Sequence, residues 1–247
     1  MGFLKELVKD FFDPVLNMKE YADTGSAGEQ YTFRAIKPIF GENRIFRNVY
    51  IPKSNGQTTE IDLLAIHQSG IYVFESKNYS GWIFGDANSS QWTQSLQGGY
   101  KNKFYNPVWQ NNAHIKALQV NLSQYKNAEY YSYIVFSERC TLKNITCKER
   151  NVFILKRDDL WYSLKKRIVD GGLILANEQL EAMAAFLLAH QRPDYTVKIQ
   201  HLADVEESLM LCPWCKGALV ERYNSKTGNK FYGCKNYPRC KYTRTSL

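Results

Sequence analysis

The chain has 247 residues, of which 44% are hydrophobic and 23% are charged, a composition typical of a folded protein rather than a disordered one. No apolar run reaches the roughly 20 residues needed to cross a bilayer. The first 15 residues also lack the continuous apolar centre of a signal peptide. The sequence therefore predicts a cytoplasmic protein with no membrane partner, long enough for one sizeable domain and a smaller one.

The predicted elements, in chain order, give a mixed α/β domain. An amphipathic helical extension is expected at 1–24 and a helix at about 27–38, with Ser26 and Glu29 as its capping box and Pro38 at its end. Further along the chain, the pattern predicts strands at 44–51, 60–67 and 71–78, turns or a short hairpin at 79–105, a helix at 107–125, strands at 131–136 and 151–155, and helices at 158–169 and 177–190. We therefore expect an α/β domain at 25–191, a polar linker at 192–209 and a separate segment at 210–247.

Charged residues interrupt two apolar strands that are predicted to form a hairpin. Asp62 lies in the first strand, and Glu75 and Lys77 lie in the second. Charges inside apolar strands are costly unless they are paired or bound to a metal. A two-residue turn at 69–70 would set Asp62 opposite Lys77 and make Asp62 and Glu75 diagonal neighbours on one face, within reach of a shared ion. A register slip of one residue would break this arrangement.

Two carboxylates beside a lysine suit the hydrolysis of a phosphodiester bond. Asp62 and Glu75 would hold Mg²⁺ or Mn²⁺, since these ions prefer oxygen ligands, and the metal would polarise the phosphoryl oxygen and activate water. Lys77 would stabilise the charge that builds on the phosphate, or help to deprotonate the attacking water. The residues alone leave an alternative open, namely a structural salt bridge between Asp62 and Lys77, with Glu75 near a strand end.

Four of the six cysteines lie in the last 36 residues, as two pairs separated by 18 residues: Cys212, Cys215, Cys234 and Cys240. Four thiolates in two pairs indicate a tetrahedral Zn²⁺ site. Cys140 and Cys147 have no partner pair and are interpreted as thiols without metal. The segment 211–247 also holds eight basic side chains against one acid, which is +7 of the formal net charge of +8. Such a segment is typical of a surface that binds a polyanion, and a solvated surface without a partner is the alternative.

Six aromatic residues alternate with the basic residues of this C-terminal segment: Trp214, Tyr223, Phe231, Tyr232, Tyr237 and Tyr242. Aromatic rings stack on unpaired bases while lysine and arginine meet phosphates. We expect about half of these rings to pack the small core of the segment instead. The remainder are candidates for contacts with DNA.

The motifs of the hairpin resemble those of a known nuclease superfamily. Asp62 followed by Glu75-Ser76-Lys77 resembles the D-x(n)-E-x-K motif of the PD-(D/E)xK nucleases. More narrowly, residues 28–29, 60–64, 73–78, Gly81, and 107–111 through His114 resemble the nuclease-related domain (NERD) family, over about residues 25–140. The resemblance implies a restriction-endonuclease-like mixed sheet flanked by helices, and a role in DNA processing.

Carried over position by position, the resemblance also implies roles for single residues. Glu29 would be the helix carboxylate that completes the metal site, although it also fits the capping box. Asp62 and Glu75 would be metal ligands, Lys77 the catalytic lysine, and Gln110 a residue that orients a phosphate or the lysine. We expect His67 and His114 to be ordinary core or surface histidines.

Residues 210–244 resemble the C4 zinc finger at the C-termini of type IA DNA topoisomerases, which implies a DNA-binding accessory with single-stranded DNA as a candidate partner. The leading prediction is a Mg²⁺- or Mn²⁺-dependent DNA nuclease that a zinc ribbon targets to DNA. Two alternatives stay open: a nuclease fold that binds DNA without cutting it, and an adaptor whose ribbon docks onto a protein partner of unassigned identity.

Overall fold

The computed structural model describes residues 25–191, 195–225 and 227–244, so the extension predicted at 1–24 lies outside the described residues. The elements of the described part are α1 (Gly25–Phe40), a 3-10 turn (Glu42–Arg44), β1 (Ile45–Pro52), β2 (Thr58–His67), β3 (Gly70–Lys77), β4 (Gly81–Asp86), β5 (Gln91–Ser95), β6 (Lys101–Tyr105), α2 (Pro107–Asn121), β7 (Tyr130–Phe136), β8 (Cys140–Thr146), β9 (Val152–Lys156), α3 (Arg157–Gly171), α4 (Asn177–Gln191), α5 (Tyr195–Leu209), β10 (Leu219–Tyr223), β11 (Lys230–Cys234) and β12 (Thr243–Arg244). The described residues form two compact units, one from residues 25–51 and 60–191, the other from residues 52–59, 195–225 and 227–244.

A five-stranded mixed sheet forms the centre of the first unit. Its order is β1-β2-β3-β7-β9, with β2 and β3 antiparallel and with β3, β7 and β9 parallel. Leu118 of α2 and Met183 of α4 pack on one face, and Ile36 of α1 and Leu160 of α3 pack on the other. Strands covered on both faces carry nearly continuous apolar runs, as β2 and β3 do. The predicted mixed α/β fold, with helices flanking the sheet, is confirmed.

A second, four-stranded sheet has the order β6-β5-β4-β8. The sequence predicted turns or a short hairpin at 79–105, where the structure has three strands, β4, β5 and β6, that form two successive hairpins. No element was predicted for β8 at 140–146. The strands were missed because only one face of this sheet is apolar. Ile83 and Trp92 are fully buried on the inner side. The outer side mixes lysine, serine and threonine with Trp82 and Phe84, and the strands are short, so their sequences carry no long apolar run.

Helix α1 begins and ends differently from the prediction. It includes both Ser26 and Glu29, so these residues do not form a capping box at its start. It also continues past Pro38 to Phe40. Ile36 and Phe40 are buried against the central sheet, and this packing holds the last turn despite the hydrogen bond that proline cannot donate.

The second unit joins residues 52–59 to α5 and to a three-stranded antiparallel sheet, β10-β11-β12. The hydroxyl of Thr58 lies 3.0 Å from the Nδ1 atom of His201 on α5. Helix α5 occupies most of the segment predicted as a linker. The small core of the unit contains Leu219 and Tyr242 together with three of the four C-terminal cysteines. No helix within the described residues is long and apolar enough to span a membrane.

Candidate active site and zinc ribbon

The β2–β3 hairpin carries the predicted metal ligands, but its register differs from the prediction by two residues. Leu63 pairs with Phe74 and His67 pairs with Gly70, so the turn is Gln68-Ser69. Gly70 belongs to the strand, where its φ is 140° and an added Cβ would lie 2.6 Å from the carbonyl oxygen of Glu129. The predicted Asp62–Lys77 pair is therefore wrong. The paired residues end at Leu63 and Phe74, next to Asp62 and Glu75 respectively.

Glu75 and Lys77 form a buried ion pair at the end of β3. The Nζ atom of Lys77 lies 2.7 Å from Oε1 of Glu75, and their side chains are 18% and 3% exposed. The same Nζ atom donates a hydrogen bond of 3.1 Å to Oε1 of Gln110. The Nε2 atom of His114 lies 3.7 Å from the other carboxylate oxygen of Glu75. Helix α2 therefore supports both members of the pair, through two residues that lie one turn apart.

Helix α1 approaches the same strand end from the other side. The hydroxyls of Thr32 and Ser76 lie 2.7 Å apart. Near the start of the helix, a Cβ added to Gly28 would lie only 3.1 Å from the Cβ of Asn78, so glycine allows the close approach. This contact brings half-buried Glu29 towards the ion pair, and the charges of both Glu75 and Lys77 affect its pKa.

The electrostatics of the cluster show a surplus of negative charge. The pKa of Asp62 is raised well above its ordinary value. Burial is the largest cause, and the negative charges of Glu75 and Glu29 add to it. The pKa of Glu29 is raised as well, chiefly by burial and next by the negative charge of Glu60. Burial alone would raise the pKa of Glu75 too, but Lys77 and His114 outweigh it and lower that pKa. Clustered carboxylates of this kind favour an additional cation, because each of them disfavours the ionised form of its neighbours.

The structure thus brings the predicted residues together to different degrees. Glu75, Lys77 and Gln110 form one contact network, whereas Asp62 and Glu29 approach it closely enough to interact through their charges. In the part of the chain that the structure describes, only the four C-terminal cysteines form a set of three or more candidate ligands whose atoms lie within 4.8 Å of one another. Sequence reasoning missed the contact of His114 with Glu75. The available signal was its position four residues after Gln110, on the same face of a predicted helix.

The four cysteines of the second unit converge as the spacing predicted. The Sγ atoms of Cys212 and Cys240 lie 3.6 Å apart, and those of Cys215 and Cys234 lie 3.4 Å apart. Tetrahedral zinc with Zn–S bonds of about 2.3 Å would hold its sulfur ligands about 3.8 Å apart, so the thiols fit this ion.

Hydrogen bonds to sulfur favour the thiolate form of Cys215, whereas burial raises the pKa of the neighbouring Cys234 thiol. Asn236 donates from its backbone nitrogen to Cys234 and from its side chain to Cys215, each over 3.4 Å. The backbone N–H of Gly217, together with Cys234 and Asn236, lowers the pKa of the Cys215 thiol to about 6. Because metals bind the thiolate form, this environment suits a zinc ligand.

The aromatic residues of the ribbon divide into two groups. Trp214, Tyr223 and Tyr237 are 59%, 66% and 61% exposed. The other three, Phe231, Tyr232 and Tyr242, are partly or fully buried. The guanidinium of the partly buried Arg222 lies 5.7 Å from the ring centre of Tyr237, so one exposed ring has a cation beside it.

The fold and the site define a class of protein in which a mixed α/β domain with a carboxylate–lysine cluster is followed by a four-cysteine ribbon. Comparison with known families identifies both parts. Residues 24–137 match the nuclease-related domain, NERD, and residues 210–247 match the topoisomerase DNA binding C4 zinc finger. The chain belongs to the NERD family and carries this zinc finger at its C-terminal end.

Individual relatives match different parts of the chain. A protein of Bacillus anthracis described as uncharacterized is 33% identical over 179 residues, which cover 72% of this chain and 82% of the relative. DNA topoisomerase 1 of Pyrococcus furiosus and that of Pyrococcus horikoshii are each 53% identical over 32 residues. That match covers 13% of this chain and only 3% and 5% of the topoisomerases, so it concerns the finger alone. No solved structure matches the chain.

Proposed function

We propose that this protein is a deoxyribonuclease that depends on Mg²⁺ or Mn²⁺ and hydrolyses phosphodiester bonds, and that its zinc ribbon holds the DNA. The observation that carries the proposal is the buried Glu75–Lys77 ion pair with two further carboxylates, Asp62 and Glu29, beside it. A lysine next to clustered carboxylates provides both a cation site and a positive group for the phosphate. The family match to a nuclease-related domain supports the same proposal.

In this proposal Asp62 and Glu75 would hold the divalent ion, and Glu29 would complete its site. When bound, the ion would supply Lewis-acid chemistry to the phosphoryl oxygen and to the attacking water. The raised pKa of Asp62 supports this assignment, because a cation favours the ionised form and so relieves the repulsion from Glu75 and Glu29.

Lys77 then acts on the phosphate, where its ammonium group stabilises the negative charge that develops in the transition state. Gln110 accepts a hydrogen bond from the Lys77 ammonium and thereby holds its direction. His114 is a positioning residue, since it contacts the far oxygen of Glu75 rather than the lysine.

One observation favours a second candidate, a nuclease fold that binds DNA without cutting it. The carboxylate of Glu75 already contacts Lys77 through one oxygen and His114 through the other. A fully paired carboxylate offers a metal less than a free one does, because the ion must compete with both partners.

The test is to incubate the purified full chain with labelled single- and double-stranded DNA, with and without Mn²⁺ or Mg²⁺. We expect metal-dependent cleavage that Asp62→Asn abolishes and that Lys77→Met lowers about 100-fold, a typical loss for one transition-state contact. The matched controls, Asp159→Asn and Lys37→Met, change exposed residues of α3 and α1 and should cut at the wild-type rate. DNA that is bound but never cut under any of these conditions would favour the second candidate. Normal cleavage by Asp62→Asn would refute the assignment of the site.

A further inference from the structure

The outer face of the four-stranded sheet carries a tryptophan and three lysines. Cross-strand partners share a face of a sheet. Trp82 pairs with Ser95, which in turn pairs with Lys101. Phe84 pairs with Lys143 in β8 and with Thr93, which pairs with Lys103. The alternate residues Ile83 and Gln94 are buried, so these pairs lie on the solvent side, and we call Trp82, Lys101, Lys103 and Lys143 the outer face.

The charge of the outer face is positive. The strands β4, β5, β6 and β8 contain one acidic residue, Asp86, at the end of β4. The carboxylate of Asp86 accepts a hydrogen bond of 2.7 Å from the backbone of Asn88. All three lysines are exposed, and Trp82 is 54% exposed. The Nζ atom of Lys143 lies 5.7 Å from the centre of a Trp82 ring, so the cation and the ring form one surface.

An inner strand of this sheet, β4, is tied directly to the candidate active site. Strand β4 begins at Gly81, four residues after Lys77. The connection is short and fixed, because Ser137 donates a hydrogen bond to the carbonyl of Tyr79, and Gln94 donates one to that of Ser80. Gly81 has a φ of 76°, and an added Cβ would lie 2.4 Å from the carbonyl oxygen of Ser95, so the turn requires glycine.

The edge strand β6 is tied to the same site through α2. Strand β6 runs into Asn106, which caps α2 by accepting a hydrogen bond from the backbone of Val108. The side-chain nitrogen of Asn106 also donates to the carbonyls of Ala87 and Ser89 in the β4–β5 connection. Gln110, which contacts Lys77, follows one turn later on the helix. The outer face is therefore held in a fixed position relative to the Glu75–Lys77 pair.

We propose that the outer face binds a single strand of nucleic acid and guides it to the Glu75–Lys77 pair. Lysines two residues apart on a strand, such as Lys101 and Lys103, lie about 7 Å from each other and form a row of cations for a phosphate backbone. An exposed indole stacks on an unpaired base, which a duplex keeps inside its own stack. The inference rests on the proposed function, since it names the strand that the site would cut.

The experiment measures binding of a labelled single-stranded oligonucleotide to the full chain across a salt series, without added Mg²⁺ or Mn²⁺, so that no cleavage is involved. The first variant is Lys101→Glu/Lys103→Glu/Lys143→Glu. Its matched control is Lys116→Glu/Lys126→Glu/Lys165→Glu, which changes three exposed lysines outside this sheet by the same charge. The second variant, Trp82→Ala, leaves every charge in place. Circular dichroism checks that each variant is folded.

We expect the outer-face triple variant to bind at least about tenfold more weakly than its control. The slope of log affinity against log salt should flatten by about 2, since each lost phosphate contact contributes about 0.7 for a single strand. Trp82→Ala should weaken single-strand binding about tenfold, as expected for one lost base stack, and leave duplex binding unchanged. A 5-bromouracil strand should cross-link to Trp82 under ultraviolet light.

Two results would overturn the proposal. If the outer-face triple variant binds as tightly as its control, the face does not hold nucleic acid. If Trp82→Ala weakens duplex binding as much as single-strand binding, or if it weakens neither, the assignment to a single strand is wrong. If the variants bind nucleic acid as expected but the protein never cuts DNA, the proposed nuclease activity is refuted and the outer face remains a binding surface. Failure of the proposed activity and failure of the proposed surface can therefore be told apart.

Discussion

Replacing Lys77 by methionine removes one charge from the candidate site and keeps most of the side-chain volume. It leaves Glu75, which is 3% exposed, in contact with the Nε2 atom of His114, at 3.7 Å, and without its ammonium partner. Breaking a buried ion pair costs about 3–5 kcal/mol. Because the Lys77 side chain is itself 18% exposed, we expect a loss near the lower end, about 3 kcal/mol in the free energy of unfolding.

The chain contains a control pair with the same separation and a different burial. Lys37 and Glu42 also lie 2.7 Å apart, but their side chains are 47% and 69% exposed. Exposed pairs contribute about 0–1 kcal/mol, so Lys37→Met should have little effect. Burial, and not distance, therefore produces the expected difference between the two variants.

The effect of Lys77→Met should depend on pH. In the wild type the pKa of Glu75 is lowered, so the pair stabilises the fold above the ordinary carboxyl pKa and loses this contribution as the pH falls through the lowered value. In the variant the buried carboxylate loses its main partner and its pKa rises. The variant therefore loses stability as the pH rises through that raised value, and its deficit shrinks in acid.

The assay is urea denaturation of the full chain at several pH values, with zinc present and without Mg²⁺ or Mn²⁺, followed by far-ultraviolet circular dichroism. An equal loss in Lys77→Met and Lys37→Met would refute the stabilising role of the buried pair. A deficit that does not change between neutral and acidic pH would show that the unpaired Glu75 carboxylate is not its cause.

Two further predictions concern the remaining metal ligands. Asp62→Asn should make the metal-free protein more stable at neutral pH, on the order of 1 kcal/mol, because it removes a partly buried carboxylate repelled by Glu75 and Glu29. Since the pKa of Asp62 is raised, this gain should vanish in denaturation curves measured below the ordinary carboxyl pKa. Cys212→Ser should lower the zinc content, measured by mass spectrometry, from about one ion per chain to near zero, because structural zinc supplies roughly 10–16 kcal/mol of folding energy to such fingers. The circular dichroism of the α/β unit should persist in this variant while DNA affinity falls and depends less steeply on salt, and unchanged affinity across the salt series would instead favour the adaptor interpretation.

Two features of the fold could be predicted because local sequence encodes them directly. Strands β2 and β3 are covered on both faces, so each appears as a continuous apolar run in which a charged residue such as Asp62 is conspicuous. The zinc ribbon was predictable because four thiols at fixed spacing have few other uses in one short segment. Both signals depend on residues close together in the sequence.

The features that were missed depend on tertiary contacts. The hairpin register is set by Gly70, which packs against the backbone of Glu129, and no local pattern reports that contact. The strands of the second sheet bury only one face, so the segment from Gly81 to Tyr105 looks like a series of turns. The contact between His114 and Glu75 joins a helix to a strand. The spacing of His114 from Gln110 places both residues on one helix face, but only the packing of that helix on the sheet brings His114 to Glu75.

The ion pair and the ribbon imply different relations between metal and folding. In the α/β unit, Lys77 serves as an internal counter-ion for Glu75, so the unit keeps its shape before any divalent ion arrives. The ribbon has only a small core around its four thiols, so zinc belongs to its folded state from the start. The proposed Mg²⁺ or Mn²⁺ would therefore exchange freely with its surroundings during the life of the molecule, whereas zinc would be acquired once, at synthesis, and retained.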